Sequence, residues 1–244
     1  MRNIKVIIEY DGTGYHGWQS QENAVSVQRV VEDAFKKLTG ENIKLIGASR
    51  TDTGVHSYGQ TANFLTESKI PAEKFFLAVN CLLPPDISVV HSEEVPKDFH
   101  SRFDAKGKKY KYLIYNDRAP SALLRSRAFH VPVPLNLEAM KKAAEYIPGK
   151  KDFSAFKASG SNVKDSIRTV WGIELQKKDK IIELTVSGDG FLYNMVRIIA
   201  GTLVDVGMGR IAPDELGTII ESRDRTRAGR TAPAHGLYLV EVYY

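Results

Sequence analysis

The 244-residue chain carries a single cysteine, Cys81. One thiol cannot close an internal disulfide, and there is no cysteine cluster to hold a metal. The histidines, at positions 16, 56, 91, 100, 130 and 235, lack ligand spacing such as H-E-x-x-H. No metal site is expected. Long apolar runs are missing too. The apolar part of the opening MRNIKVIIEYDG is too short for a signal peptide. No run approaches the roughly 20 residues that span a bilayer. The expectation is a cytoplasmic protein without membrane contact.

What is present is an ordinary globular composition, with 43% hydrophobic and 26% charged residues. The length suits one large domain or two of ordinary size around a buried core. The net charge of +5 is mild for this length, but its sign favours an anionic partner. Nucleic acid is the commonest large one.

Periodicity divides the chain into two similar halves. In the first, IKVIIEY (4–10) reads as a strand. Val27, Val30, Val31, Ala34, Phe35 and Leu38 follow at helical spacing, with Gly40 as a stop. IKLIGAS (43–49) and QTANFLT (60–66) read as strands, AEKFFLAVNCLL after Pro71 as a helix, and ISVVHSEEV (87–95) as a strand. In the second half KYKYLIYN (109–116) is a strand and NLEAMKKAAEYI (136–147) a helix. Residues 167–178 and 180–188 form a hairpin, and 194–207 an apolar helix. PDELGTIIES adds a further helix, and GLYLVEVYY (236–244) is the last strand. Two β-α-β-β-α-β orders predict an α/β (α+β) protein built from two ferredoxin-like halves. The boundary falls near FHSRFDAKGKK, giving residues 1–104 and 105–244. A cleft between the halves is the expected place for a site.

Five stretches carry chemistry. Gly12, Gly14 and Gly17 spell G-x-G-x-x-G after a strand. The dinucleotide reading fails, because helical periodicity starts only near Val27 and no acidic residue closes a following strand. Tyr15, His16 and Trp18 in that loop either stack on bases or pack the loop down. In ASRTDTGVH, Asp52 is either a turn residue or a functional carboxylate. Arg50, two positions away, shares its side on extended backbone. Arg197 is the only charge between Met195 and Val204, so it needs an anion, with Asp52 or a phosphate as candidates. Tyr110 and Tyr112 alternate with Lys109 and Lys111, which suits core packing or base stacking beside a phosphate track. Arg223, Arg225, Arg227 and Arg230, with Lys150, Lys151, Lys157 and Lys164, read as a solvated charge run or an electrostatic footprint.

Four of these stretches, RTDTGVH, KKYKY, NMVRIIAG and TAPAHGLYL, stand in an order that resembles the tRNA pseudouridine synthase A family. The resemblance runs from the first strand to the C-terminus. It implies the pseudouridine synthase fold, in which the halves form one extended, mostly antiparallel sheet with a central basic cleft. It implies a cofactor-free homodimer that isomerises uridine at tRNA positions 38, 39 and 40, in the anticodon stem-loop. Asp52 would be the catalytic aspartate, acting at C1′, at C6 or on the C2′ proton; all three routes stay open and each needs an ionised carboxylate. Arg197, with Arg50, would hold it ionised. Arg50 would fill the space left by the flipped base, and Tyr110 would stack on the uracil and relay the C5 proton. Phe99, His100, Ser101, Arg102 and Phe103, and the loop from Ser161 to Asp165, would contact RNA. Thr53 departs from the family pattern, where alanine is more usual.

Two other functions compete. A non-catalytic RNA-binding module would share the halves and surface aromatics, but the RNP-type aromatic octamer is missing. A glycosidase needs a second carboxyl group, and none stands out near Asp52.

Overall fold

The computed structural model describes residues 1–160 and 165–244. They divide into two compact units, Met1–Lys106 with Tyr238–Tyr244, and Gly107–Leu237.

The first unit follows the expected order: β1 (Arg2–Tyr10), α1 (Val27–Thr39), β2 (Ile46–Gly47), β3 (His56–Thr66), α2 (Phe75–Asn80) and β4 (Ile87–Val95). β1 lies between β3 and β4 and runs antiparallel to both. The Ser26 hydroxyl caps α1 by accepting from Arg29 N–H, and Gly40 ends the helix at φ 77°. Val27, Val31, Ala34 and Phe35 form the buried face of α1. Phe35 packs on Phe64, with ring centroids 4.6 Å apart.

The strand expected at 43–49 shrinks to two residues. The physical reason is that α1 takes the backbone groups a strand would pair. Leu45 N–H donates to Glu32 Oε1 and Gln28 Nε2 donates to Leu45 O. β3 starts four residues earlier than its alternation suggests, at His56. α2 is shorter than expected, because residues 72–74 form a tighter 3₁₀ turn and the helix ends at Asn80.

The second unit contains β5 (Gly107–Asn116), β6 (Phe129–Val131), α3 (Leu137–Ala144), β7 (Gly149–Asp152), β8 (Ile167–Lys178), β9 (Ile181–Gly188), α4 (Met195–Gly207) and α5 (Glu215–Ser222). Its sheet order is β5-β9-β8-β7, antiparallel throughout, with β6 added in parallel to the end of β5. β6 and β7 were not expected; at three and four residues they are too short to show a period. Every residue of α4 but Arg197 is buried, Thr202 and Asp205 included, and the rest of the helix is apolar.

The last strand, β10 (Leu237–Tyr243), differs in its allegiance. Chain order assigns it to the second half, yet Tyr238 and Leu239 pair in parallel with His56 and Ser57 of β3. Ser57 Oγ donates to Leu239 O, and Lys106 N–H donates to Tyr243 O. Residues 238–244 therefore sit with the first unit. Strand pairing, not sequence proximity, decides the grouping.

Candidate active site

Asp52 lies in the short connection before β3, on a turn closed by Val55 N–H donating to Asp52 O at 3.1 Å. Gly54 takes φ 79°, which a side chain would resist. The connection is anchored at several points. Ala48 N–H donates to Thr61 O, and Gln60 Nε2 donates to Ser49 O. Thr51 is buried, its hydroxyl 2.7 Å from the Tyr10 hydroxyl. Thr51 O accepts from Trp18 N–H at 3.1 Å. Asp52 is half-buried and Arg50 is exposed, so the flanking side chains diverge in accessibility. The result is a carboxylate on a short, rigidly pinned turn.

Tyr15 and Trp18 are buried at 7% and 2% exposure, so these two aromatics pack the loop down. Tyr15 OH donates to Asp86 Oδ1. His16 is exposed.

The stretch 99–103 separates into anchors and exposed groups. Ser101 is fully buried; its N–H donates to Asn63 Oδ1 and its carbonyl accepts from the Tyr244 hydroxyl at 2.7 Å. Its backbone N–H and carbonyl thus tie the segment down, while the side chain itself is buried away from solvent. Phe99 is half-buried beside Tyr244, and its carbonyl accepts from Asn3 Nδ2. Phe103 is 76% exposed and stacks on His100 at 4.2 Å, with the Arg102 guanidinium 5.9 Å from its ring centre. His100 Nδ1 accepts from the N–H groups of Arg102 and Phe103, which fixes this small stack.

Tyr110 and Arg197 belong to the second unit. Tyr110 lies on β5 opposite Val186, buried and edge-on to Phe191 at 5.2 Å. Tyr112 is fully buried and donates to Pro233 O at 2.7 Å, and burial raises its pKa. Arg197 is half-buried, not turned out to solvent. Nε donates to Ala232 O at 2.8 Å and Nη1 to Asn194 Oδ1 at 2.7 Å. Two donors are thereby fixed in direction on a helix that otherwise carries only buried residues.

The arginine-rich stretch is tied down more than a solvated footprint would be. Arg223 pairs with Asp152 at 3.1 Å and Arg230 with Asp205 at 3.2 Å. Arg225 donates to Ala228 O, Gly229 O and Thr231 Oγ1. These acids, far apart in sequence, supply the compensation that composition of the loop alone conceals. Residues 161–164 of the other basic loop lie outside the described residues; Asp165 Oδ1 accepts from Ile167 N–H. Among the described residues no cluster of His, Cys, Asp and Glu could hold a metal ion, and no helix is long and apolar enough to cross a membrane.

Sequence reasoning passed over His56. It lacks metal-ligand spacing and stands four residues after Asp52. Its Nδ1 accepts from Gly12 N–H at 3.0 Å, a partner 44 positions away that no local pattern reveals.

A family model described as tRNA pseudouridine synthase matches residues 6–104 and 143–244. The matched segments include Asp52, Arg50, the 99–103 stretch and Arg197; Tyr110 falls between them. The tRNA pseudouridine synthase A of Acetivibrio thermocellus is 61% identical over 244 residues, covering all of both chains. Proteins of the same name from Ruminiclostridium cellulolyticum and Thermoanaerobacter sp. are 57% and 54% identical, again over the whole of each chain. The chain belongs to the tRNA pseudouridine synthase family.

Proposed function

We propose that the chain isomerises uridine to pseudouridine in tRNA, at positions 38, 39 and 40 of the anticodon stem-loop, and that it acts as a homodimer without a cofactor. The observation that carries the reading is Asp52: a carboxylate on a pinned turn, in a chain 61% identical over its length to a tRNA pseudouridine synthase A.

The reaction breaks the C1′–N1 bond, turns the uracil and forms a C1′–C5 bond. C5 loses its proton and N1 gains one, so the formula is unchanged. Asp52 acts as the ionised carboxylate, for which a short braced turn supplies pre-organisation. Tyr110 stacks on the flipped uracil and relays the C5 proton. Arg50, exposed and long, fills the vacated space in the stem. Arg197, with Nε and Nη1 held by Ala232 O and Asn194 Oδ1, supplies a fixed positive charge to the reacting anions. The exposed stack of His100 and Phe103, with Arg102 beside it, offers RNA a base-sized aromatic face and a cation.

Release of tritium from tRNA labelled at C5 of uridine tests the reading, because C5 loses its hydrogen only when pseudouridine forms. Wild type should release tritium, and Asp52→Asn should not, while keeping its tRNA affinity. Binding without release by the wild type would leave a non-catalytic RNA-binding protein.

A further inference from the structure

The glycine-rich stretch after β1 has no part in the chemistry above. We propose that it is a clamp for the catalytic turn, and that His56 is the positioning residue that locks the clamp. The proposal rests on the assignment of Asp52 as the catalytic carboxylate.

Two of the three glycines are contact points. A Cβ on Gly12 would sit 2.0 Å from Val55 O. A Cβ on Gly17 would sit 2.4 Å from Thr51 O and 3.1 Å from Asp52 C, and Gly17 also takes φ 81°. The obstructing atoms are backbone and cannot swing aside. Gly14, the middle glycine, has nothing within 4 Å. The spacing thus serves close approach to residues 51–55, not a phosphate.

Three hydrogen bonds join the two segments. Trp18 N–H donates to Thr51 O at 3.1 Å, and Gly54 N–H donates to Tyr15 O at 3.4 Å. The third comes from Gly12 N–H to His56 Nδ1 at 3.0 Å. An amide can only donate, so Nδ1 carries the lone pair and the ring proton is assigned to Nε2. Asp11 Oδ1 also lies 3.1 Å from Nδ1 and accepts from the Thr13 N–H and hydroxyl, which brings the start of the loop to the same ring.

His56 is well suited to hold a position. It opens β3, is 2% exposed, and stacks on Tyr238 of β10 at 4.7 Å. Tyr238 is stacked in turn by Tyr58 at 5.3 Å. The imidazole is fixed by the sheet on one side and fixes Gly12 on the other. Asp52 lies between the bonds at Thr51 O and Gly54 N–H, so the clamp sets where its carboxylate stands.

Single-turnover tritium release and amide hydrogen exchange test this together. His56→Phe keeps a stacking ring but removes the acceptor. His56→Asn loses the ring but returns an acceptor near the Nδ1 position. His56→Phe and Gly17→Ala should slow release roughly 10²-fold, the cost of an ångström-scale misplacement, with tRNA affinity unchanged. His56→Asn should recover most of the rate. Gly12 and residues 51–55 should lose exchange protection in His56→Phe and keep it in His56→Asn. Wild-type rates in His56→Phe, or equal losses in the Phe and Asn variants, would overturn the clamp. If His56→Phe does not fold, a wild-type rate in Gly17→Ala does the same. A wild type that releases no tritium would sink the reading of Asp52 instead; unchanged Gly12 protection in His56→Phe would still refute the clamp by itself.

Discussion

Gly201 of α4 lies directly against Arg230: a Cβ built on the glycine would stand 1.9 Å from the arginine's carbonyl oxygen. The loop carrying Arg230 is bonded to the same helix at Thr202, whose hydroxyl accepts from Gly229 N–H, and at Arg197, whose carbonyl accepts from Ala232 N–H. Gly201→Ala should therefore push the loop away from α4. Overpacking of this kind costs about 1–3 kcal/mol. Ala232 O also holds Arg197 Nε, so tritium release should fall with stability. Thermal unfolding checks the first effect, and an unchanged midpoint would mean that the loop moves freely.

Arg197→Met should cripple turnover while the protein stays folded. The substitution keeps the apolar stem that a largely buried helix needs. It removes the donors to Ala232 O and Asn194 Oδ1, and hydrogen bonds from a charged group contribute about 1.5–3 kcal/mol each. The unfolding midpoint should drop but the transition should stay cooperative. Turnover at the wild-type rate would reduce Arg197 to a structural tether.

Most long elements were legible because their periods are strong: α1 shows a clear apolar face, and α4 is apolar over most of its length. The site was legible only in part. RTDTGVH displays Asp52, but its support comes from Gly12, Gly17 and Trp18, more than thirty positions earlier, by way of backbone contacts. Long-range pairing also hid the allegiance of β10 and the shortness of β2. The burial of Ser101 was not legible either, because a polar stretch gives no hint of which member faces the core. Similarly, the loop arginines look uncompensated until Asp152 and Asp205 are brought beside them.

Phe103→Ala should weaken tRNA binding with little change in the unfolding midpoint. Its ring is 76% exposed, so almost no core is lost. Stacking on a base contributes about 1–3 kcal/mol. A titration with labelled tRNA reads the loss directly. Unaltered affinity would place this aromatic pair outside the RNA footprint.

Alkaline stability offers a check on the anchor of the 99–103 stretch. Burial is the main reason that the Tyr244 phenol is pushed up to about 12 from an ordinary 10.0. The sign follows from linkage: between these values the folded state keeps a proton that the unfolded state releases. The contribution is complete below pH 10 and is lost as pH rises toward 12. Tyr15 and Tyr112 are raised too, so the whole protein should weaken over this range. Tyr244→Phe should begin less stable near neutrality, by the roughly 0.5–1.5 kcal/mol of the lost bond to Ser101 O. Its deficit should then shrink as pH rises from 10, because phenylalanine has no proton to lose. Denaturant unfolding of both proteins at pH 8, 10 and 11 measures the gap. A deficit that stays constant from pH 8 to 11 would show that the Tyr244 phenol holds its proton no more tightly in the folded chain than in the unfolded one, and that burial does not raise its pKa.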